Sequence, residues 1–393
     1  MRILLLNDYA TVTAGAERVT QLLRDGLRAR GHEVRILASD AQLIAGSSIA
    51  DVTCFGTTSR WQNFTSAVNP SAARTLREEL RTFRPDLVQA QMFLWQLSPA
   101  ILPVLRGVPS VYYAMTHKSI CPSGLKWLPD GSLCQVRAGA VCLQNRCVTP
   151  LGFPALMLQR ARWRKHRSAF RAIVTVSADL RARLEADDNV VREVIWPGTL
   201  ITPARPPLAD PPTAAFVGRL TSEKGVDVLF RAFALVRQRL PAARLEILGT
   251  GPAEAALGRL CGELDLGDAV SMRGHVATAD LDSALASAWV LAVPSVWPEP
   301  FGLVATEAMM RGTAVVASRL GGLAESVVDQ VTGLHVPAGD HRALGEALLR
   351  VLADRESAER LGAAGRVRAM AHFSVDGMID RFEALYAALN HAH

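Results

Sequence analysis

Two α/β domains, each a doubly wound parallel sheet, follow from three observations in this chain of 393 residues. Short apolar runs alternate with amphipathic stretches along nearly the whole length, the pattern of βαβ units. The alternation breaks between Thr199 and Pro212, where prolines stand at 203, 206, 207, 211 and 212. It then begins again, so the length divides into two parts, each large enough for its own core.

In the first series the strands are Ile3 to Asn7, Glu33 to Ala38, Leu87 to Gln91, Val108 to Ala114 and Ala172 to Ser177. The opening Met-Arg-Ile-Leu-Leu-Leu-Asn-Asp is too short an apolar run for a secretory leader and reads as a buried strand. The second series has strands at Ala214 to Val217, Arg244 to Leu248, Val270 to Met272, Val290 to Val293 and Ala314 to Ser318. The expected division is a first domain over 1–200 with a Cys-rich insertion at 118–150, a linker over 201–212, a second domain over 213–375, and a C-terminal helix within 376–393. No strand follows that helix, so it is expected to pack back on the first domain. Two Rossmann-like domains of this kind face each other across a central cleft at the C-terminal edges of their sheets.

Net charge is +6, unevenly placed: residues 1–200 hold 25 Lys and Arg against 15 Asp and Glu, and the remainder 18 against 22. A basic half attracts an anionic partner or is a solvated surface. Nucleic acid is the partner excluded, because the basic residues lack an interleaved aromatic platform or a reader motif. No run approaches the ~20 apolar residues of a membrane span. The expected location is cytoplasmic, with peripheral contact at the inner face of an anionic membrane as an open alternative.

Three loops carry the chemistry. After the first strand, Thr13-Ala-Gly-Ala-Glu17 opens a helix, and Gly15 either lets the backbone approach a phosphate or serves the turn alone. Phe216-Val-Gly-Arg-Leu-Thr-Ser-Glu-Lys-Gly-Val-Asp227 sends Arg219 and Lys224 out of a strand end, a guanidinium fork and a point charge suited to a diphosphate. In Glu299-Pro-Phe-Gly-Leu-Val-Ala-Thr-Glu307 a loop carboxylate stands beside the free N–H groups of a helix that begins near Gly302. A ligand with both hydroxyls and an anionic group, such as a sugar nucleotide, fits that pairing. Without a ligand the same segment is a helix with an acidic start and an acidic middle.

The spacing of Glu299 and Glu307 resembles the Glu-x7-Glu signature of retaining glycosyltransferases of family 4. The Arg219 to Gly225 loop, the Gly-Ala-Glu turn at Gly15, Leu248-Gly-Thr-Gly-Pro252, Ser318-Arg-Leu-Gly-Gly-Leu-Ala-Glu325 and Thr332-Gly-Leu-His335 resemble that family in the same order. The resemblance implies a GT-B fold and transfer of a hexosyl or N-acetylhexosaminyl group from a nucleoside-diphosphate sugar, with UDP or GDP as carrier. The acceptor would be a carbohydrate or lipid-linked hydroxyl in polysaccharide, glycolipid or cell-envelope glycan synthesis. Arg219 and Lys224 would hold the diphosphate, Glu307 the ribose hydroxyls, and Glu299 a hydroxyl of the transferred sugar. Backbone N–H groups around Phe301, Gly302 and Leu303 would add donors, Gly15 would approach the phosphate, and the backbone near Gly274 to Val276 would meet the base. No cofactor and no catalytic metal is expected, because cationic side chains and helix termini neutralise the leaving group. The alternatives are a catalytically degenerate nucleotide-sugar scaffold or sensor, and a sugar-nucleotide epimerase. Two departures from the family pattern, Ala14 for a glycine and Lys118 for an aspartate, motivate the scaffold reading.

His117 follows the expected strand Val108 to Ala114, where a lone histidine is either structural or, as the resemblance implies, a contact to the transferred sugar. Beyond it come Cys121, Cys134, Cys142 and Cys147, separated by 12, 7 and 4 residues. They are candidates for a structural zinc, for two disulfides or for free thiols. Further on, Arg160, Arg164, Arg167 and Arg171 share one face of a helix flanked by Trp163 and Phe170. That face suits anionic lipid headgroups or is simply solvated.

Overall fold

The chain begins with β1 (Arg2–Tyr9), α1 (Gly15–Ala29), β2 (Glu33–Ser39), β3 (Val52–Cys54), α2 (Gln62–Ala67), α3 (Pro70–Thr82), β4 (Leu87–Ala90), β5 (Ser110–Ala114), α4 (Val141–Gln144), α5 (Phe153–His166), β6 (Ala172–Thr175), α6 (Ala178–Glu185) and β7 (Glu193–Val194). Ile3 to Leu6 expose no surface, so β1 is covered on both faces and lies deep in a sheet. That sheet is parallel, with the order β3-β2-β1-β4-β5-β6-β7. In α1 the positions Val19, Leu23 and Leu27 recur every four residues and form its buried stripe. The fifth strand starts at Ser110, two residues later than expected, because Pro109 has no N–H to give the ladder; its carbonyl instead accepts from Val88. The computed structural model describes residues 1–44, 46–277 and 280–390, with the backbone alone at Asp282.

Next come β8 (Thr213–Val217), α7 (Val226–Arg239), β9 (Arg244–Leu248), α8 (Glu254–Glu263), β10 (Val270–Gly274), α9 (Leu281–Ala284), β11 (Ala288–Val293), α10 (Leu303–Arg311), β12 (Ala314–Ser318), α11 (Leu323–Ser326), β13 (Leu334–Val336), α12 (His341–Leu352), α13 (Arg355–His372) and α14 (Val375–Asn390). The second sheet is also parallel, in the order β10-β9-β8-β11-β12-β13. Every residue of β11 and β12 is buried, with α7 packed on α12 and α10 packed on α13.

Two units result, Thr199–Ser374 and Met1–Gly198 with Val375–His393. Helix α14 thus joins the first unit. Its Ile379 lies where a side chain on Gly26 would be, and its Tyr386 hydroxyl donates to Gln89 Oε1 on β4. Arg30, which caps the end of α1, binds both Asp380 and Glu383.

Each sheet reverses its strand order once near the middle, between β1 and β4 in the first and between β8 and β11 in the second. In open parallel sheets the loops leaving such a switch point line the ligand crevice.

Candidate functional site

At the switch point of the second unit the loop after β8 carries Arg219 and Lys224, and the loop after β11 carries Ser295 and Glu299. These loops are fastened together. Val296 N–H donates to the Glu223 carbonyl at 3.0 Å, and Gly225, at φ +69, lies so close that a Cβ there would sit 2.2 Å from the Pro294 carbonyl oxygen. Lys224 is thereby brought to Glu299, its Nζ 2.7 Å from Oε1, with the side chains only 18% and 7% exposed. The Ser295 hydroxyl donates to the same oxygen. Oε2 lies 3.7 Å from where a Cβ on Gly302 would stand.

Burial pushes the Glu299 carboxyl up, but the Lys224 ammonium, with Ser295 and Trp297, more than offsets this and holds it below the ordinary carboxylate value. Glu299 is therefore ionised at neutral pH. Arg219 stays largely exposed, with its guanidinium 4.0 Å from Glu223. Helix α10 opens on Gly302 at φ +88 without a side-chain cap, leaving its first N–H groups free of a side-chain acceptor. An ionised carboxylate oxygen and uncapped helix N–H groups thus meet at one end of α10. A polyhydroxylated anion matches that arrangement.

Supporting loops fix this geometry. Gly322 N–H donates to the Glu299 carbonyl at 2.8 Å, Gly218 N–H to Leu248 O at 3.0 Å, and Leu220 N–H to Thr250 O at 2.9 Å. Glu307 follows one turn along α10, where its carbonyl accepts from Arg311. The Gly274 carbonyl accepts from Gly249 N–H at 2.7 Å, and Val276 lies half-buried just beyond β10. Phe301 is buried in an edge-on contact with Phe373. Ser295 was not singled out in the sequence, although a hydroxyl four residues before a loop carboxylate is a readable signal. The chain also carries an Asp-x-Asp triplet, Asp280-Leu281-Asp282, which the sequence reading overlooked when it expected no catalytic metal.

The first unit places a different set at its switch point. Asp8, at the end of β1, is fully buried and accepts N–H bonds from Trp95, Gln96 and Leu97 beyond β4. Burial raises its pKa to about 6, against the pull of those three N–H groups and of Lys118. Lys118 is also buried, its ammonium 3.9 Å from the centre of the Trp95 ring and bonded to the Pro122 carbonyl. Burial lowers it to about 8, with Cys121 and Asp8 acting in the other direction. The departure at Lys118 is thus a buried strut beside Asp8, a residue that the sequence reading passed over. His117 exposes nothing and burial pushes it down to about 3, assisted by Arg183 and Lys126, so the ring is neutral. Gly15 is exposed at the first position of α1, and Glu17 accepts from Ala14 N–H at 2.9 Å.

Two expectations gain no support from the structure. For the zinc site, all six cysteines are free, and among the described residues no group of three or more His, Cys, Asp or Glu is placed to hold a metal ion. The Cys134 thiol faces the Val136 carbonyl and Cys147 the Asn145 carbonyl, each within its own turn, while Lys126 donates to Cys121 Sγ and sets its ammonium 4.0 Å from Cys134 Sγ. Nor do the four arginines share one free helical face for lipid: α5 ends at His166, which leaves Arg167 and Arg171 beyond it, and all four side chains are held. Arg160 is buried 2.6 Å from Asp187, Arg164 pairs with Asp188 at 3.3 Å, Arg167 binds Asn189, and Arg171 binds the Leu389 carbonyl. Trp163 and Phe170 belong to the core, packed with Phe93 and Tyr112. Among the described residues no helix is long and apolar enough to cross a membrane.

Comparison with known proteins matches two family models, Glycosyltransferase Family 4 over residues 13–202 and Glycosyl transferases group 1 over residues 202–368. A D-inositol 3-phosphate glycosyltransferase of Salinispora arenicola is 34% identical over 238 residues, 54% of this chain and 52% of that one. A GDP-mannose-dependent alpha-(1-6)-phosphatidylinositol monomannoside mannosyltransferase of Mycobacterium tuberculosis is 35% identical over 165 residues, 40% of this chain and 43% of that one. The match thus spans about half or less of these relatives' length. Among solved structures, sucrose-phosphate synthase from Thermosynechococcus elongatus superposes with a TM-score of 0.76 over the whole of both chains at 24% identity. HepE of Anabaena, solved with UDP and glucose, superposes with a TM-score of 0.70 over 99% of this chain and all of that one at 17% identity. Both likenesses bear on the fold, which is GT-B.

Proposed function

The chain belongs to glycosyltransferase family 4, and on that premise we propose that it moves a sugar, with retention, from a nucleoside-diphosphate sugar to a hydroxyl of a carbohydrate or lipid-linked acceptor. The observation that carries the reading is the Lys224–Glu299 pair at the β8/β11 switch point, with Glu299 Oε2 turned toward the start of α10. Oε2 accepts from a hydroxyl of the transferred sugar, while Oε1 is held by Lys224 and Ser295. The diphosphate takes its charge from Arg219, Lys224 and the N–H groups of α10 around Gly302 and Leu303. Glu307 accepts from the ribose hydroxyls, and the backbone near Gly274 and Val276 meets the base.

In the transfer step the bond from the anomeric carbon to the phosphate oxygen breaks as the acceptor oxygen bonds to the same face of that carbon. The acceptor proton passes to the departing phosphate. Negative charge grows on the diphosphate during this step, so Arg219 and Lys224 stabilise the transition state more than the ground state. The relatives that use GDP-mannose and inositol phosphate support the donor and acceptor classes, without fixing either.

Thermal shift against UDP, GDP, ADP and their sugar conjugates, with and without a chelator, tests the donor reading, since a ligand of the folded state raises its stability by mass action. One nucleotide family is expected to shift the protein, equally with chelator present, and Lys224→Ala to weaken that ligand about tenfold or more. A shift without transfer to any acceptor points to the scaffold alternative. A product with inverted anomeric configuration refutes retention.

A further inference from the structure

Between Asp86 and Asp179 the chain carries eleven Lys and Arg against a single carboxylate, Asp130, and between Asp51 and Glu78 it carries Arg60, Arg74 and Arg77 with no carboxylate. Helices α2 and α5 come from these two stretches and lie side by side. Gln159 of α5 donates to the Ser66 carbonyl of α2 at 2.6 Å, and a Cβ on Gly152 would stand 2.4 Å from Asn63 Nδ2.

The outer side of this pair is apolar. Trp61 is 55% exposed, Phe64 41%, Leu151 70% and Leu158 45%. The Trp61 and Phe64 rings are 5.6 Å apart, and the Arg60 guanidinium lies 5.4 Å from the Trp61 ring centre. Helical spacing puts Arg162 and Lys165 on the face of α5 that carries Leu158, opposite the buried Arg160 and Trp163. Large exposed aromatic and aliphatic groups bordered by cations mark a contact surface.

We propose that this face of the first unit docks on an anionic lipid bilayer, with Trp61, Phe64, Leu151 and Leu158 entering the headgroup region and Arg60, Arg162 and Lys165 meeting lipid phosphates. Aromatic rings favour that depth, and each nearby cation adds attraction to an anionic leaflet. A second copy of the chain is a poorer occupant, because a two-fold contact through the patch would set these cations against themselves. The seat is distinct from Arg160, Arg164 and Arg167, whose side chains are held by Asp187, Asp188 and Asn189. It stands on the first unit alone and does not depend on the donor site.

Flotation of the full chain with phosphatidylcholine vesicles, plain or with roughly a third phosphatidylglycerol, tests it. Binding is expected to the anionic vesicles, much less to the plain ones, and to weaken at high salt. The double variant W61S/F64S is expected to lower the bound-to-free ratio about tenfold while keeping the wild-type melting temperature. If that variant does not fold, R162S/K165S carries the test with the same expected loss. The proposal is overturned if the wild type ignores anionic vesicles, if the folded variants bind as the wild type does, or if W61S/F64S instead turns a dimer into a monomer.

Discussion

Replacing Lys224 by Met deletes the ammonium 2.7 Å from Glu299 Oε1 and leaves the carboxylate buried with the Ser295 hydroxyl on that oxygen. Removing one member of a buried ion pair costs about 3–5 kcal/mol, and the surviving serine bond places this case near the lower end. A unit of this size loses roughly 2–4 °C per kcal/mol, so its melting temperature should fall by about 6–12 °C at pH 8. The effect must depend on pH. In the wild type the folded pKa of Glu299 lies below its ordinary value of 4.5, so the pair's contribution is complete above the unfolded pKa and fades as pH falls through the folded one. In K224M the folded pKa rises above the unfolded value, so the penalty is full at high pH and is relieved as the carboxyl protonates. Melting curves of wild type, K224M, E299Q and the double variant at pH 5 and pH 8 provide the assay. The gap between wild type and K224M should narrow at pH 5, and the double variant should lose less than the two single losses together. Equal losses at both pH values, with strict additivity, would refute the pairing.

His117 should make the first unit acid-sensitive. Its pKa is about 3 when folded against the ordinary imidazole value of 6.5, so the unfolded chain binds the proton first and stability falls as pH drops below 6.5, by about 2 kcal/mol at pH 5. Chemical denaturation at pH 7 and pH 5 should show that slope flattened in His117→Gln, and an unchanged slope would assign it elsewhere. Gly302→Ala should weaken the donor ligand more than it lowers the melting point. At φ +88 the added methyl costs about 1–2 kcal/mol, and it would stand 2.3 Å from Leu323 Cδ2 beside Glu299. Titration of the variant with the ligand found by thermal shift measures this, and wild-type affinity would free that corner of α10 from any role.

Much of the fold was legible because its central strands are long apolar runs, and β1, β9 and β12 fell close to their expected bounds. The short edge strands β3, β7 and β13, of two or three residues, carry too little pattern to be seen in advance. The site was legible where its residues are contiguous, as in Glu299 to Leu303. It was not legible where distant segments meet: Lys224 and Glu299 stand 75 residues apart, and only the strand order places their loops together. The same reason explains Arg160, Arg164, Arg167 and Arg171. Their periodicity was plain, but Asp187, the residue that occupies Arg160, lies 27 positions away. Asp8 escaped notice because a carboxylate after a strand gives no sign of the three N–H groups that await it beyond β4.

The return of α14 to the first unit reverses the order in which the two units can be finished on the ribosome. Residues Thr199–Ser374 form one uninterrupted stretch, so the second unit needs no segment from outside it to close. The first unit must wait for Ile379, Phe382 and Tyr386, whose side chains complete its interior and the last of which donates to Gln89 Oε1. Although synthesised first, it matures last, and until then Gln89 of β4 and Tyr113 of β5 lack their partners Tyr386 and Phe382.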